Sequence, residues 1–360
     1  MADWIDRTDK LLEMLPHAPL IFGVDTEFMR TNTFFPRLAL IQADFGPRTA
    51  LIDPIAGVDL DPLAEVLADP SRVCVMHSAS EDLEALAKPM PRGIAELYDT
   101  QIAAAFAGLG AGVGYQKLVR ELTGIELPKG ETRSDWLRRP LSPQQIEYAA
   151  QDVIHLPALH AQLSARVEQR GYAKWLAEDC ARMLERARQR EPDSDPQVAL
   201  RGAAEWPRER QALLRRVLLW RDVVARRTDT PRPWILDDSG ALDLAAHPPA
   251  TAAELADRTK GQRGLRSALR AELLDELQRP LASEELEFAA IPRSPSAREK
   301  PALAALKEVV AERATALDIP EGLLCARRNL ESLLVTRQWP AGLEGWRREV
   351  LHDALLAKLD

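Results

Sequence analysis

Two carboxylates two residues apart, Asp25 and Glu27, close the apolar run Ile21-Phe22-Gly23-Val24. Such a run reads as a buried strand, and in a strand the side chains at i and i+2 point to the same face, so both carboxylates enter one small volume. Like charges this close repel, and a cation between them relieves the repulsion; an oxygen-only donor set suits a hard divalent ion. Two more acidic residues stand where they could join the pair. Asp82 follows a helix start near Ser80, and Asp152 lies four residues after Tyr148, on the same helix face. Four such carboxylates could hold two Mg²⁺ or Mn²⁺ ions, an arrangement that stabilises both the attacking and the leaving oxygen of a phosphoryl displacement. The Tyr148 hydroxyl, one turn from Asp152, could orient the attacking water.

The elements that must position these groups follow from the pattern. A short amphipathic helix over 8–16 leads into a strand at 20–25, and apolar runs at 37–43 and 49–54 complete a meander of three strands. A helix over 61–68, a strand at 72–77, a helix with Ser80 as its N-cap and a short strand at 97–99 come next. One long helix then opens at Ser142-Pro143 and carries helical spacing from Gln144 to Gln169. Strands first and helices interleaved later indicate a mixed α/β sheet with helices on its faces.

Residues 188–197 are polar and proline-bearing and read as a linker; a second linker spans 291–296. The expected organisation is α/β plus all-α: a mixed-sheet domain over 1–190, then two small helical bundles over 198–290 and 298–360. The spacing of Leu236 and Leu242 matches that of Leu324 and Leu330, which suggests a repeat.

The formal net charge is −8, the wrong sign for a chain that holds polyanions by bulk attraction. Residues 1–200 carry 21 Lys and Arg against 30 Asp and Glu, whereas 201–360 carry 26 against 25. The excess acid therefore lies with Asp25 and Glu27, which suits a metal site. Cys74, Cys180 and Cys325 have no metal-binding or disulfide spacing, and the first ten residues lack an apolar segment. A cytoplasmic chain with no membrane role is expected.

Asp25-Thr26-Glu27-Phe28, His77-Ser78-Ala79-Ser80-Glu81-Asp82-Leu83 and Tyr148-Ala149-Ala150-Gln151-Asp152 resemble the three exonuclease motifs of the DEDD superfamily, in its tyrosine-bearing subgroup. With Ser134-Asp135-Trp136-Leu137-Arg138-Arg139-Pro140-Leu141 ahead of the third motif, the chain resembles bacterial ribonuclease D nearly end to end. That resemblance implies an RNase H-like exonuclease domain followed by two HRDC-like domains. The implied activity is metal-dependent 3′→5′ hydrolysis of RNA with a single-stranded 3′ end, tRNA precursors foremost. It implies that Asp25, Glu27 and Asp152 bind the tighter ion, that Asp25 bridges to a second supported by Asp82, and that Tyr148 positions the nucleophilic water. Phe28 and Met29 lie where the family stacks or wedges the terminal base.

The remaining candidates have bland readings beside the functional ones. His77, at a strand end, is either a substrate contact or a hydrogen-bonded structural residue. Arg133, Trp136 and Arg139 fit a nucleic-acid strand, or else an ordinary charged loop. Arg215, Arg216, Arg221, Arg226 and Arg227 on one helix offer a polyanion-binding face or a plain polar one. Two other functions compete: a 3′→5′ DNA exonuclease, since ribose discrimination is not visible in these motifs, and a non-catalytic RNA-binding scaffold.

Overall fold

The computed structural model describes residues 2–128, 130, 134–189 and 192–359. Six strands, β1 (Ala2–Ile5), β2 (Ile21–Met29), β3 (Arg37–Asp44), β4 (Thr49–Ile52), β5 (Val73–Met76) and β6 (Glu96–Asp99), form one sheet in the order β1-β4-β3-β2-β5-β6. The short connections from β2 to β3 and from β3 to β4 make antiparallel pairs, whereas β2, β5 and β6 are joined through helices and run parallel. The sheet is mixed, as the interleaving of strands and helices predicts. The expected meander is there, but β1 was not foreseen. Its four residues include Asp3 and Trp4, too short and polar a stretch for a periodic signal, and it adds in parallel to β4.

The α/β part also carries helices α1 (Thr8–Met14), α2 (Asp61–Leu67), α3 (Ser80–Ala87), α4 (Thr100–Phe106), α5 (Tyr115–Thr123), α6 (Pro143–Ile154), α7 (Leu156–Gln169) and α8 (Ala173–Arg188). Two expectations need correction. The helix expected over 144–169 breaks at His155, because Pro157 has no N–H for the Val153 carbonyl and its ring crowds that oxygen. Ser80 is the first residue of α3 rather than its N-cap, and no side chain caps α3. Instead, the Ala79 N–H donates to the Asp99 carboxylate at 2.8 Å, and the other oxygen of Asp99 caps α4 through the N–H groups of Gln101 and Ile102.

Beyond residue 200 the chain is helical: α9 (Arg208–Thr228), α10 (Arg232–Ile235), α11 (Asp238–Ala246), α12 (Ala252–Arg258), α13 (Ser267–Gln278), α14 (Lys300–Leu317), α15 (Glu321–Leu324), α16 (Arg327–Thr336) and α17 (Trp346–Leu356). The two halves of this region repeat one motif. Asp229 and Asp318 both end a long helix in the left-handed region, with φ of 46° and 50°. Pro231 and Pro320 both precede a four-residue helix, and an extended residue then leads into the next helix. The register differs by one residue from the leucine spacing. Ile235 corresponds to Leu324 and Leu236 to Cys325, with Ile235 and Leu324 fully buried.

The two halves bury their apolar faces differently. Helices α9 to α13 enclose a core of their own around Leu214, Val217, Ile235, Leu244 and Leu273, into which the β2–β3 loop inserts Phe34. In contrast, Leu306, Val310, Leu334 and Trp346 belong to the same core as Phe22, Met76 and Leu163 of the α/β part. Trp346 stacks on Trp175 at 4.5 Å, its indole N–H donates to Asp179, and Arg347 pairs with that carboxylate at 2.6 Å. The arginines of α9 make internal contacts. Arg216 bonds Glu285 and three backbone carbonyls, Arg221 bonds Asp238, Arg226 bonds Asp222 and Arg227 bonds Glu272. Their charge is spent on the fold, which argues against a polyanion-binding face on this helix.

Candidate active site

Strand β2 carries the first two carboxylates into the interior of the sheet, with Asp25 opposite Gln42 and Glu27 opposite Leu40 of β3. The pairing slips between Glu27 and Phe28, a bulge of the kind that re-aims side chains beside functional sites. Helix α6 supplies the third. Its start is set by a capping box, in which Ser142 Oγ accepts from the Gln145 N–H at 3.1 Å and Gln145 Oε1 accepts from the Ser142 N–H at 2.9 Å. This fixes the rotation of the helix and turns Tyr148 and Asp152 toward β2. The close approach needs Gly23. A Cβ there would lie 2.7 Å from the Val153 carbonyl oxygen and 2.9 Å from Leu156 Cβ. As a result one carboxylate oxygen from each of Asp25, Glu27 and Asp152 lies within 4.8 Å of the others. Asp82 stands outside that group, in the first turn of α3, where it accepts from Thr26 Oγ1 at 2.5 Å and its charge acts on Asp25 and Glu27.

The electrostatics are those of a site short of positive charge. Burial, followed by the charges of Asp82, Asp152 and Glu27, pushes the Asp25 carboxyl well above its ordinary range. Burial raises Glu27 to about 9, with Asp152 and Asp82 adding to the shift. It raises Asp152 to about 7 and Asp82 to about 6, against the hydrogen bonds from Tyr148 and Thr26, which favour the ionised forms. Tyr148 is pushed upward by burial and then by Asp152, so its hydroxyl keeps its proton and donates to Asp152. A divalent cation fits this donor set. Its ligands are all oxygen, their combined charge needs neutralising, and ionising them becomes favourable once it is bound.

Three of the candidates for substrate contact have structural duties instead. Every N–H of the Arg139 guanidinium is engaged: Nε and one NH2 hydrogen on the Asp53 carboxylate, the others on the carbonyls of Trp136, Arg138 and Ala39. No donor is left for a phosphate. Trp136 is 3% exposed, packed among Leu40, Leu51, Leu141 and Ala149 and 6.0 Å from the Tyr148 ring, so it buttresses the tyrosine and offers no face to a base. His77 Nδ1 lies 2.9 Å from Thr100 Oγ1, which donates to the Met76 carbonyl, and its Nε2 is buried without a partner. It ties β5 to α4. Arg133 lies outside the described residues. Phe28 and Met29 remain half-buried beyond the bulge, at the outer end of β2. Asp99 sets both α3 and α4, and Gly23, which admits α6, is a positioning residue that sequence pattern alone did not single out.

Comparison with known proteins agrees with this geometry. The 3′-5′ exonuclease family matches residues 2–168 and the HRDC domain family matches residues 210–276. A ribonuclease D of Xanthomonas oryzae pv. oryzae is 44% identical, covering 100% of this chain and 99% of that protein. One from Pseudomonas paraeruginosa is 38% identical, covering 94% of this chain and 92% of its own length. The crystal structure of Escherichia coli RNase D, an exoribonuclease involved in structured RNA processing, superposes with a TM-score of 0.86 at 29% identity, covering 100% of this chain and 98% of that one. With an exonuclease domain, an HRDC region and full-length relatives of one kind, the chain belongs to the ribonuclease D family of 3′-5′ exoribonucleases.

Proposed function

We propose that the chain trims single-stranded 3′ ends of structured RNA, tRNA precursors among them, using two Mg²⁺ or Mn²⁺ ions. The convergence of Asp25, Glu27 and Asp152 within 4.8 Å, with Asp82 beside them, carries this reading. Asp25, Glu27 and Asp152 would hold one ion, and Asp25 with Asp82 the second. Bound divalent ions supply positive charge for the phosphoryl oxygens and lower the pKa of water. The chain's own residues do the rest. Tyr148, kept protonated and buttressed by Trp136, orients the attacking water from one turn below Asp152. Thr26 holds the Asp82 carboxylate in place, and Phe28 and Met29 meet the terminal base.

Substrate selection is assigned to the helical region, divided as an HRDC-like unit over 198–290 and a second over 298–360 behind a nuclease domain over 1–190. Between these parts lies a cavity of about 830 Å³. One wall is α3, through Ser80, Leu83, Glu84 and Ala87; others carry Lys88, Arg186 and Arg328, beside Arg182, Arg226, Arg232 and Arg347, which are paired with carboxylates of Glu178, Asp222 and Asp179. Lys88, Arg186 and Arg328 on these walls suit an RNA backbone held against the nuclease domain, in a protein whose net charge is negative. Among the described residues no helix is long and apolar enough to cross a membrane; we assign the chain to the cytoplasm.

The test is a 5′-labelled tRNA with a 3′ extension, incubated with wild type and Asp152→Ala in Mg²⁺, Mn²⁺ or EDTA. A ladder shortening from the 3′ end that needs both metal and Asp152 supports the reading. Shortening that persists in EDTA or without Asp152 overturns it, and tRNA binding with no turnover by wild type would restore the scaffold alternative.

A further inference from the structure

Gln42 occupies the middle of β3, with Asp25 directly across on β2 and Leu51 across on β4. It is fully buried, and neither its amide nitrogen nor its amide oxygen has a hydrogen-bond partner. Among the described residues it is the only side-chain amide with both polar atoms in that condition. A buried polar group without a partner keeps its full desolvation penalty, so an amide here destabilises the fold unless a working state of the site uses it. Its surroundings are otherwise apolar. Leu40 precedes it on the same strand face, Leu51 lies beside it, and Ala149 and Val153 of the overlying α6 are, like them, fully buried. A leucine would fill the position without penalty.

Directly opposed residues of an antiparallel pair share a face, with Cβ atoms about 5 Å apart. The Asp25 carboxylate is therefore within reach of the Gln42 amide by side-chain rotation alone. A carboxylate that binds ions keeps lone pairs to spare, and a donor on one of them fixes its plane. We propose that Gln42 is a positioning residue: its Nε2–H donates to the Asp25 carboxylate and holds it in the orientation that ligates the ions. This rests on the metal-dependent reading above. Gln42 touches neither substrate nor reacting atoms, and it acts through Asp25.

The experiment compares wild type, Gln42→Met, Gln42→Leu and Asp152→Asn, reading Mn²⁺ affinity by titration calorimetry and melting temperature in EDTA. Met keeps the length of glutamine without its amide. For the Gln42 variants the expected result is an unchanged or higher melting temperature in EDTA with a dissociation constant for Mn²⁺ about 10–100-fold weaker. At saturating Mn²⁺, kcat on a short oligonucleotide should fall with KM unchanged. A folded variant that binds Mn²⁺ within twofold of wild type overturns the proposal while leaving the metal site intact. A wild type that binds Mn²⁺ no better than Asp152→Asn overturns both. A measurement on wild type itself needs no variant to fold. The side-chain amide resonances of Gln42 should move when Mg²⁺ is added, and resonances that stay fixed through saturation contradict the hydrogen bond.

Discussion

Replacing Asp152 by Asn should stabilise the metal-free protein at alkaline pH while abolishing its activity. The folded-state pKa of Asp152 is about 7, against an ordinary 3.8, with burial as the leading cause and the Asp82 charge adding to it. An acid whose pKa is raised by folding binds its proton more tightly in the native state, so below about pH 4 it contributes no penalty. As the pH rises from 4 through 7 the unfolded chain releases this proton first, and stability falls. A shift of about three units corresponds to about 4 kcal/mol at 1.36 kcal/mol per unit. Because the four carboxylates titrate together, the part recovered by neutralising one of them is expected at about 2–4 kcal/mol. Urea unfolding followed by tryptophan fluorescence, which reports the stacked Trp175 and Trp346, is the assay. In EDTA, Asp152→Asn should match wild type near pH 3 and exceed it by that margin at pH 8. Mg²⁺ should narrow or reverse the order, since saturation at a hundred times the dissociation constant stabilises wild type by about 2.7 kcal/mol and the variant far less. Parallel pH profiles for the two proteins in EDTA would refute the electrostatic account of the site.

Three further predictions rest on other contacts. Gly23→Ala places a Cβ 2.7 Å from the Val153 carbonyl oxygen, so α6 must shift. The expected cost is about 1–3 kcal/mol in stability and, through displaced Asp152, about 100-fold in kcat; full activity would show that α6 has slack. Arg139→Gln strands the buried Asp53 carboxylate and should lower stability by about 3 kcal/mol, with the RNA affinity of the folded protein unchanged. Lost RNA affinity at unchanged melting temperature would return Arg139 to the substrate. Asp229→Ala removes the carboxylate oxygen that accepts from the Phe34 and Phe35 N–H groups at 3.0 Å each, the latch between the β2–β3 loop and the first helical unit. It should weaken structured-RNA binding more than cleavage of a short oligonucleotide, whereas equal losses on both substrates would sink the idea that this unit meets the RNA body.

Sequence by itself determined the parts of this protein that local chemistry dictates. Asp25 and Glu27 share a strand face because strand geometry repeats every two residues, and Tyr148 and Asp152 share a helix face because a helical turn spans about four. The start of α6 at Ser142-Pro143 followed from a proline tolerated in the first helical turn, and the family from three short motifs in order. Tertiary structure decided what depends on distant groups. Whether an arginine faces a phosphate or a buried aspartate depends on where Asp53 comes to rest, 86 residues from Arg139. The same holds for the latch from Asp229 to Phe34 and for Trp346, which joins the α/β core across 171 residues of chain to stack on Trp175. A charged or aromatic side chain is compatible with either surface or interior, and only packing between remote segments, which removes water from one of its faces, selects between them.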